Sequence, residues 1–458
     1  MIASTLNIFI LFMGLFWFLS LTYRQRYTKY FIITPFSLFG FQEILSIWGV
    51  PLNYAFKDMP LGGWEILVIG SAFLAFITGY FLAGGSNLSI KSYLSQPITA
   101  KYSAQYYFMG VLFSVFILIA LGVYYYRGAP PLGFSVFSLL SGDASIGELA
   151  GFMSAQRFEL TKSHWFGGEY RGQGIITTIQ RLGWRFVFAV SLIMYLKLKT
   201  KKWLNLTILI GSLTIMFQAG AGERGPFVFS VLYVLIVLSM MQKIKPRYVF
   251  ILSVLGFAFL MGMTYFSTKV SFARDSPAFV QKLASQLIER ILLGNSIHDL
   301  ETIEFIDSGI MEKRFGMNHI EHFVSSFPGV RMGEPLCYRL SALNGSTPET
   351  CSGSTYLGFV YSDFGYLGVL VIFFFIGAFL AYVQKLIFNK ERDIIIIVMS
   401  SMITFYLSFM GDNGFIGFLS NMVMVIFFWG LFHLFGSFFS QISTSPLSRG
   451  DISLKREY

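Results

Sequence analysis

Runs of apolar residues close to the length of a bilayer crossing recur along this whole chain, and no other feature constrains the fold as strongly. About 20 residues of α-helix cross the hydrocarbon core. Eleven such runs are legible, at approximately 2–20, 30–50, 64–84, 104–126, 174–196, 203–220, 226–242, 248–267, 356–382, 394–410 and 415–436. Backbone polar groups in lipid must be paired internally, so the runs read as helices. The expected fold is an all-α polytopic membrane protein of about 11 transmembrane helices, with residues 1–440 forming a single transmembrane domain. Only 13% of the 458 residues are charged, against roughly 25% in ordinary domains. Charge is costly in hydrocarbon, so the places that keep it are the guide to function.

Lys and Arg set the orientation. One set of connections holds 18 of the 34 basic residues, including Lys197, Lys199, Lys201, Lys202, Lys385, Lys390 and Arg392. The short connections on the other side hold only Lys57 and Arg224. The C-terminus, with a tail at 441–458, is therefore expected in the cytoplasm and the N-terminus outside. The first run has no basic residue before it and is followed by Arg24 and Arg26, which reads as a retained span and not a cleaved signal. The net charge of +10 is mostly this cytoplasmic cuff, so nucleic acid is not an expected partner.

Two long loops lie on the outer side, at about 127–173 and 268–355. Loops of this length are usually functional. In the second, Ser276-Pro277 starts an amphipathic helix, and Pro328, Gly329, Gly333, Pro335 and the 345–348 stretch mark irregular structure. Both cysteines, Cys337 and Cys351, fall in this loop. On an oxidising face they are expected to form a disulfide closing a loop of about 15 residues.

Phosphate-binding glycine loops and paired aspartates for metal-held nucleotide sugars are missing from the sequence. Asp363-Phe364-Gly365 spells a kinase triplet, but inside an apolar span it reads as coincidence. Arginine on the outer side remains. Arg181 and Arg185 are one helical turn apart and share a face, which suits a pyrophosphate; interfacial snorkelling is the competing reading. Glu223 and Arg224 occupy a short Gly-Glu-Arg-Gly-Pro turn between two spans, where Arg224 either faces phosphate or pairs with Glu223. The loops add Arg157, Arg274 and Arg290, with His164, His298, His319 and His322. His319 and His322 are three apart, so a helix would present both one way. Either can take a proton from a hydroxyl at neutral pH without a metal. No third ligand is spaced for zinc, so no metal site and no cofactor are expected.

The stretch Gly345-Ser346-Thr347-Pro348, followed by Gly358, Tyr361, Phe364-Gly365, Gly368-Val369 and Gly377, resembles the last-loop-to-span junction of the O-antigen polymerase (Wzy) family. The Gly-Glu-Arg-Gly turn is similar to an element of these polymerases and the related ligases, and Arg157 with Gly168 matches an Arg-(ten residues)-Gly pattern of the first outer loop. The resemblance implies a GT-C-like glycosyltransferase in the bacterial inner membrane, acting in lipopolysaccharide biosynthesis. It would move a growing glycan from undecaprenyl pyrophosphate onto a lipid-linked repeat unit. His319 or His322 would serve as base, with Arg224 at the leaving group. Arg157, Arg181, Arg185, Arg274, Arg290, Glu223 and Tyr361 would contact pyrophosphate or glycan. Expected partners are these lipid-linked oligosaccharides, membrane lipid and, by the resemblance, a chain-length regulator. An O-antigen ligase and a lipid-linked oligosaccharide flippase are the alternatives.

Overall fold

The computed structural model describes residues 12–22, 33–44, 63–87, 90–126, 128, 130, 141–142, 173–218, 225–242, 251, 254, 294–325, 332–345, 354–408 and 410–442. Among them the chain is helical, with one isolated bridge between Thr99 and Asp393. In chain order the helices are α1 (Phe12–Thr22), α2 (35–44), α3 (Gly63–Leu82), α4 (Ile90–Ser95), α5 (Ala104–Tyr126), α6 (Gln173–Leu198) and α7 (Lys201–Gln218). There follow α8 (Gly225–Met240), α9 (Gly294–Asp307), α10 (Met317–Ser325), α11 (Leu336–Leu343), α12 (Tyr356–Phe388), α13 (Ile394–Ser408) and α14 (Met410–Ile442).

Five segments among the described residues are long and apolar enough to cross a membrane: Trp64–Leu82, Ala104–Tyr126, Ile175–Leu198, Tyr356–Phe388 and Gly414–Phe438. The chain is therefore an all-α, membrane-embedded protein. Several other expected spans also coincide with helices but are shorter or more polar. The 18-residue α7 carries Lys201, Lys202, Asn205 and Gln218 within its length, and α13 has only 15 residues. The expected span at 248–267 and the amphipathic helix after Ser276 lie outside the described residues, as does nearly all of the first outer loop.

Small residues let the helices touch. A Cβ on Gly79 of α3 would lie 1.9 Å from the Phe374 carbonyl oxygen of α12, and one on Gly377 would lie 1.9 Å from the Phe76 oxygen. The two backbones are thus in direct contact, as small-residue crossings in membranes allow. Around this crossing pack buried rings, among them Phe36 stacked on Tyr80 with centroids 3.8 Å apart. A second close set joins α5, α6 and α14, where Gly110 faces the Phe432 ring and Gly183 faces Leu118.

The bundle has two distinct ends. At one, the buried Arg392 donates from Nη1 to the Leu94 and Gln96 oxygens (2.9 and 2.7 Å) and from Nη2 to the Met240 oxygen (2.8 Å). Asp393 accepts the Lys101 amide at 2.8 Å, and Lys197 Nζ donates to the Ile98 oxygen at 3.2 Å. Among the described residues, this end carries Lys101, Lys197 and Arg392, which the charge rule assigns to the cytoplasm. At the other end, α9, α10 and α11 form a helical cap over the start of α12. A helix at Leu336–Leu343 therefore stands in a stretch where the turn residues predict irregular structure, because the Pro and Gly residues bracket it instead of interrupting it.

Candidate functional site

The site is built where α12 breaks. After opening at Tyr356, with Thr355 accepting the Leu357 amide as its N-cap, α12 meets Gly365 at φ 64° and ψ −160°. Such a backbone favours glycine, and the break deprives neighbouring carbonyls of their in-helix partners. The incoming chain supplies replacements: Arg314 N–H donates to the Ser362 oxygen (3.1 Å) and Phe315 N–H to the Asp363 oxygen (3.0 Å). This docking places α10 directly against the Asp363 side chain.

Asp363 has no exposed surface. Its carboxylate accepts the amides of Asn318 and His319, both at 3.2 Å, and so caps the first turn of α10 from another helix. It also lies 2.5 Å from His319 Nδ1. A carboxylate only accepts, so Nδ1 carries the hydrogen and Nε2 of the neutral ring is an acceptor. Nε2 faces the Tyr356 hydroxyl at 3.2 Å. The imidazole is fixed further by the Phe359 ring, 4.7 Å between centroids.

His319 and Tyr356 stand on the wall of a cleft of about 90 Å³, lined also by His322, Ser354, Thr355, Phe359, Gly414, Phe415 and Ile416. The far wall is a second break. Gly414 in α14 has φ 66° and ψ −179°, and a Cβ there would approach the Tyr356 ring to 2.7 Å. Beneath the cleft, buried Asp299 accepts from Ser354 Oγ (2.7 Å), Thr355 N (2.8 Å) and Thr355 Oγ1 (2.6 Å). Burial raises its pKa above the ordinary carboxylate value, and these hydrogen bonds offset part of that rise.

The opposite face of α10 is anchored. Glu321 takes a two-pronged bond from Arg314 at 2.5 and 2.6 Å. This bond is the main cause holding the guanidinium above its usual pKa. Asn318 Oδ1 accepts from both Arg314 and Arg339, while its amide donates to Ser362 Oγ at 2.8 Å. Burial lowers the Arg339 pKa, with Arg314 adding to the effect. Gly333, at φ 64°, lies against the Glu321 carboxylate, where a Cβ would fall 2.1 Å from Cδ.

The sequence-derived candidates separate accordingly. His319 and His322 share the cleft as their spacing predicts, His319 with its ring held and His322 exposed on the rim. Tyr361 lies outside the cleft lining; its hydroxyl donates to Asp307 at 2.7 Å and accepts from Trp64 Nε1 at 3.1 Å, joining α9 to α3. The two arginines one turn apart do not act as one clamp. Arg181 is exposed, whereas Arg185 is buried, donating to Ser230 and Tyr406 at 3.3 Å each and lying over the Phe405 ring. Packing of α8 and α13 over α6 encloses Arg185, which overturns the interfacial snorkelling reading for it. Cys337 is on α11; Cys351, Arg157, Glu223, Arg224, Arg274 and Arg290 lie outside the described residues.

Asp363 is the residue that the sequence reading set aside as coincidence. Its signal was an acid two residues before a glycine within an apolar run, where a buried charge needs a partner. Tyr356, Asp299, Ser354 and Thr355 carried no such signal. Among the described residues no group of three or more His, Cys, Asp or Glu side chains is arranged to hold a metal ion. No family model, curated protein or solved structure matches the chain.

Proposed function

We propose that the protein is an O-antigen repeat-unit polymerase of the bacterial inner membrane, its N-terminus periplasmic and its C-terminus cytoplasmic, with about 11 spans of GT-C-like arrangement. The observation that carries this reading is the His319–Asp363 pair, whose imidazole lines a cleft on the end of the bundle away from the basic cuff. A base oriented by a buried carboxylate is the arrangement needed to take a proton from a hydroxyl. In the reaction the acceptor sugar hydroxyl of a lipid-linked repeat unit gives its proton to His319 Nε2. Its oxygen bonds the anomeric carbon of the donor glycan, and the bond from that carbon to the lipid pyrophosphate breaks. Arg224, with Arg157, Arg274 and Arg290, neutralises the departing pyrophosphate. Cys337 and Cys351 form a periplasmic disulfide.

A flippase is the reading that the two helix breaks bring forward, since transporters carry discontinuous helices at mid-membrane. Position argues against it. Residues 366–388 beyond the first break still rise about 35 Å, and Gly414–Phe438 rises a similar distance, enough to cross the hydrocarbon core. On this reading both breaks lie toward the membrane surface, where transfer between lipid-linked glycans would take place.

The test is the lipopolysaccharide ladder of a deletion strain of the source bacterium, complemented with the wild type, His319→Ala, Asp363→Asn or Arg224→Ala. The expected outcome is a single core-plus-one-repeat band in the deletion, restored to a ladder by wild type alone. Bare core without the single-repeat band would point to a ligase or flippase and sink the polymerase reading.

A further inference from the structure

The helix that carries His319 is built inside out. On α10 the buried side chains are Asn318 and Glu321, while Met317, Ile320 and Phe323 face outward, the last two about half exposed. His319 and His322 take the remaining side, along the cleft. A surface helix in water does the reverse, turning its apolar stripe to the core and its polar residues outward. Asn318 and Glu321 turn inward because Arg314, Arg339 and Ser362 wait there to bond them. The outward side, being apolar, suits a medium other than water.

The connector leading into α10 repeats the pattern. Phe315 is 82% exposed and holds a left-handed backbone, φ 49°, which a bulky residue adopts only at a cost. Its amide is bonded to the Asp363 oxygen, and a Cβ on the next residue, Gly316, would lie 3.2 Å from Phe364 Cζ. Phe364 is itself exposed, and so is Leu367, three residues further along α12. The patch therefore runs on into the outward flank of a membrane-crossing segment, Tyr356–Phe388. Its level follows from length. Residues 366–388 rise about 35 Å, against a hydrocarbon core of about 30 Å, which sets Gly365 near the edge of that core. An aromatic pair marks the same level: Trp64, the first residue of the Trp64–Leu82 span, packs on Tyr366 with centroids 5.1 Å apart, as rings gather where bilayer meets water.

We propose that the apolar side of α10, together with Phe315, is a membrane-docking surface seated among the phospholipid acyl chains at the edge of the leaflet. On this assignment α10 is an interfacial helix and not part of a water-borne cap, and it holds both cleft histidines at the level of the lipid headgroups. The proposal rests on the membrane-embedded fold and not on the polymerase reading, so the two fail separately.

The test uses the full-length protein reconstituted in phosphatidylcholine vesicles. A nitroxide label is attached to Phe315→Cys, to Ile320→Cys and, as a water-facing control, to Glu304→Cys, which replaces an exposed acid on α9. Wild type is treated in parallel to subtract any label on Cys337 and Cys351. Collisions of the label with oxygen, which concentrates in hydrocarbon, are compared with collisions with a nickel chelate, which stays in water. Oxygen is expected to dominate at positions 315 and 320, and the nickel chelate at position 304. Dominance of the chelate at 315 and 320 would put this side of α10 in water and overturn the proposal. Low access to both agents would mean that protein covers it, such as a second copy of the chain, and would overturn it as well. Should Phe315→Cys fail to assemble, Ile320→Cys decides the matter, because its side chain points out of the fold and its loss leaves the Arg314–Glu321 and Asn318–Ser362 bonds in place.

Discussion

Both ends of the bundle tie helices together through polar side chains, yet they leave those side chains in different states. At the basic end, Arg392 spends Nη1 and Nη2 on three backbone oxygens from two separate segments. At the other end, Asp363 likewise spends its carboxylate on the amides of α10, but the imidazole it also holds lines a cleft. The first arrangement ties main chain to main chain and holds the fold. The second does the same and sets an imidazole on the wall of a cleft, with Nε2 beside the Tyr356 hydroxyl. Burial of charge alone, then, does not mark a functional residue in this protein; a titratable ring held on a cavity wall is the stronger mark.

The contrast can be broken by substitution. His319→Ala should lower glycan transfer by about 10²–10⁴-fold, the range for a lost general base, while the protein stays in the membrane at its normal level. A loss of protein equal to the loss of activity would make His319 no different from Arg392. Gly377→Val should prevent assembly, because the Phe76 carbonyl leaves no room for the new carbons; normal accumulation of this variant in membranes would refute the α3–α12 contact. Cys337→Ser should cost about 3 kcal/mol through loss of a bridge closing about 15 residues, seen as a lower melting temperature with little change in transfer rate. Arg392→Met should cost about 1–3 kcal/mol, the penalty for buried polar groups left unpaired, again with transfer per molecule unchanged. A catalytic defect in Arg392→Met would erase the distinction between the two ends.

Much of the bundle was legible because bilayer thickness and charge placement act locally. Ala104–Tyr126 matches the apolar run at both limits, bounded by Lys101 and Arg127 in the sequence. The pairing of His319 with His322 was legible for a similar reason, since helical spacing fixes which neighbours share a face. The break at Gly365 was not, because glycine is common in membrane helices and only the docking of Arg314 and Phe315 shows which glycine interrupts one. Asp363 stands 44 positions from His319, and no local pattern links them. Arg185 was misplaced for a related reason: helical spacing locates it along α6, but Tyr406 and Ser230, which enclose it, come from helices far along the chain.

The double duty of Asp363 has a consequence for how such a sequence can drift. Its carboxylate is at once the cap of α10 and the partner of the imidazole. Most positions in the apolar spans tolerate exchange among Leu, Ile, Val and Phe, so descendants of this chain are free to diverge until overall likeness fades. Position 363 answers to two requirements simultaneously, and a replacement must meet both: acceptors for the α10 amides and a negative charge beside the imidazole. Lineages that wander almost everywhere else should therefore retain the acid and the histidine as an inherited pair, or lose the two together with the trade they practise.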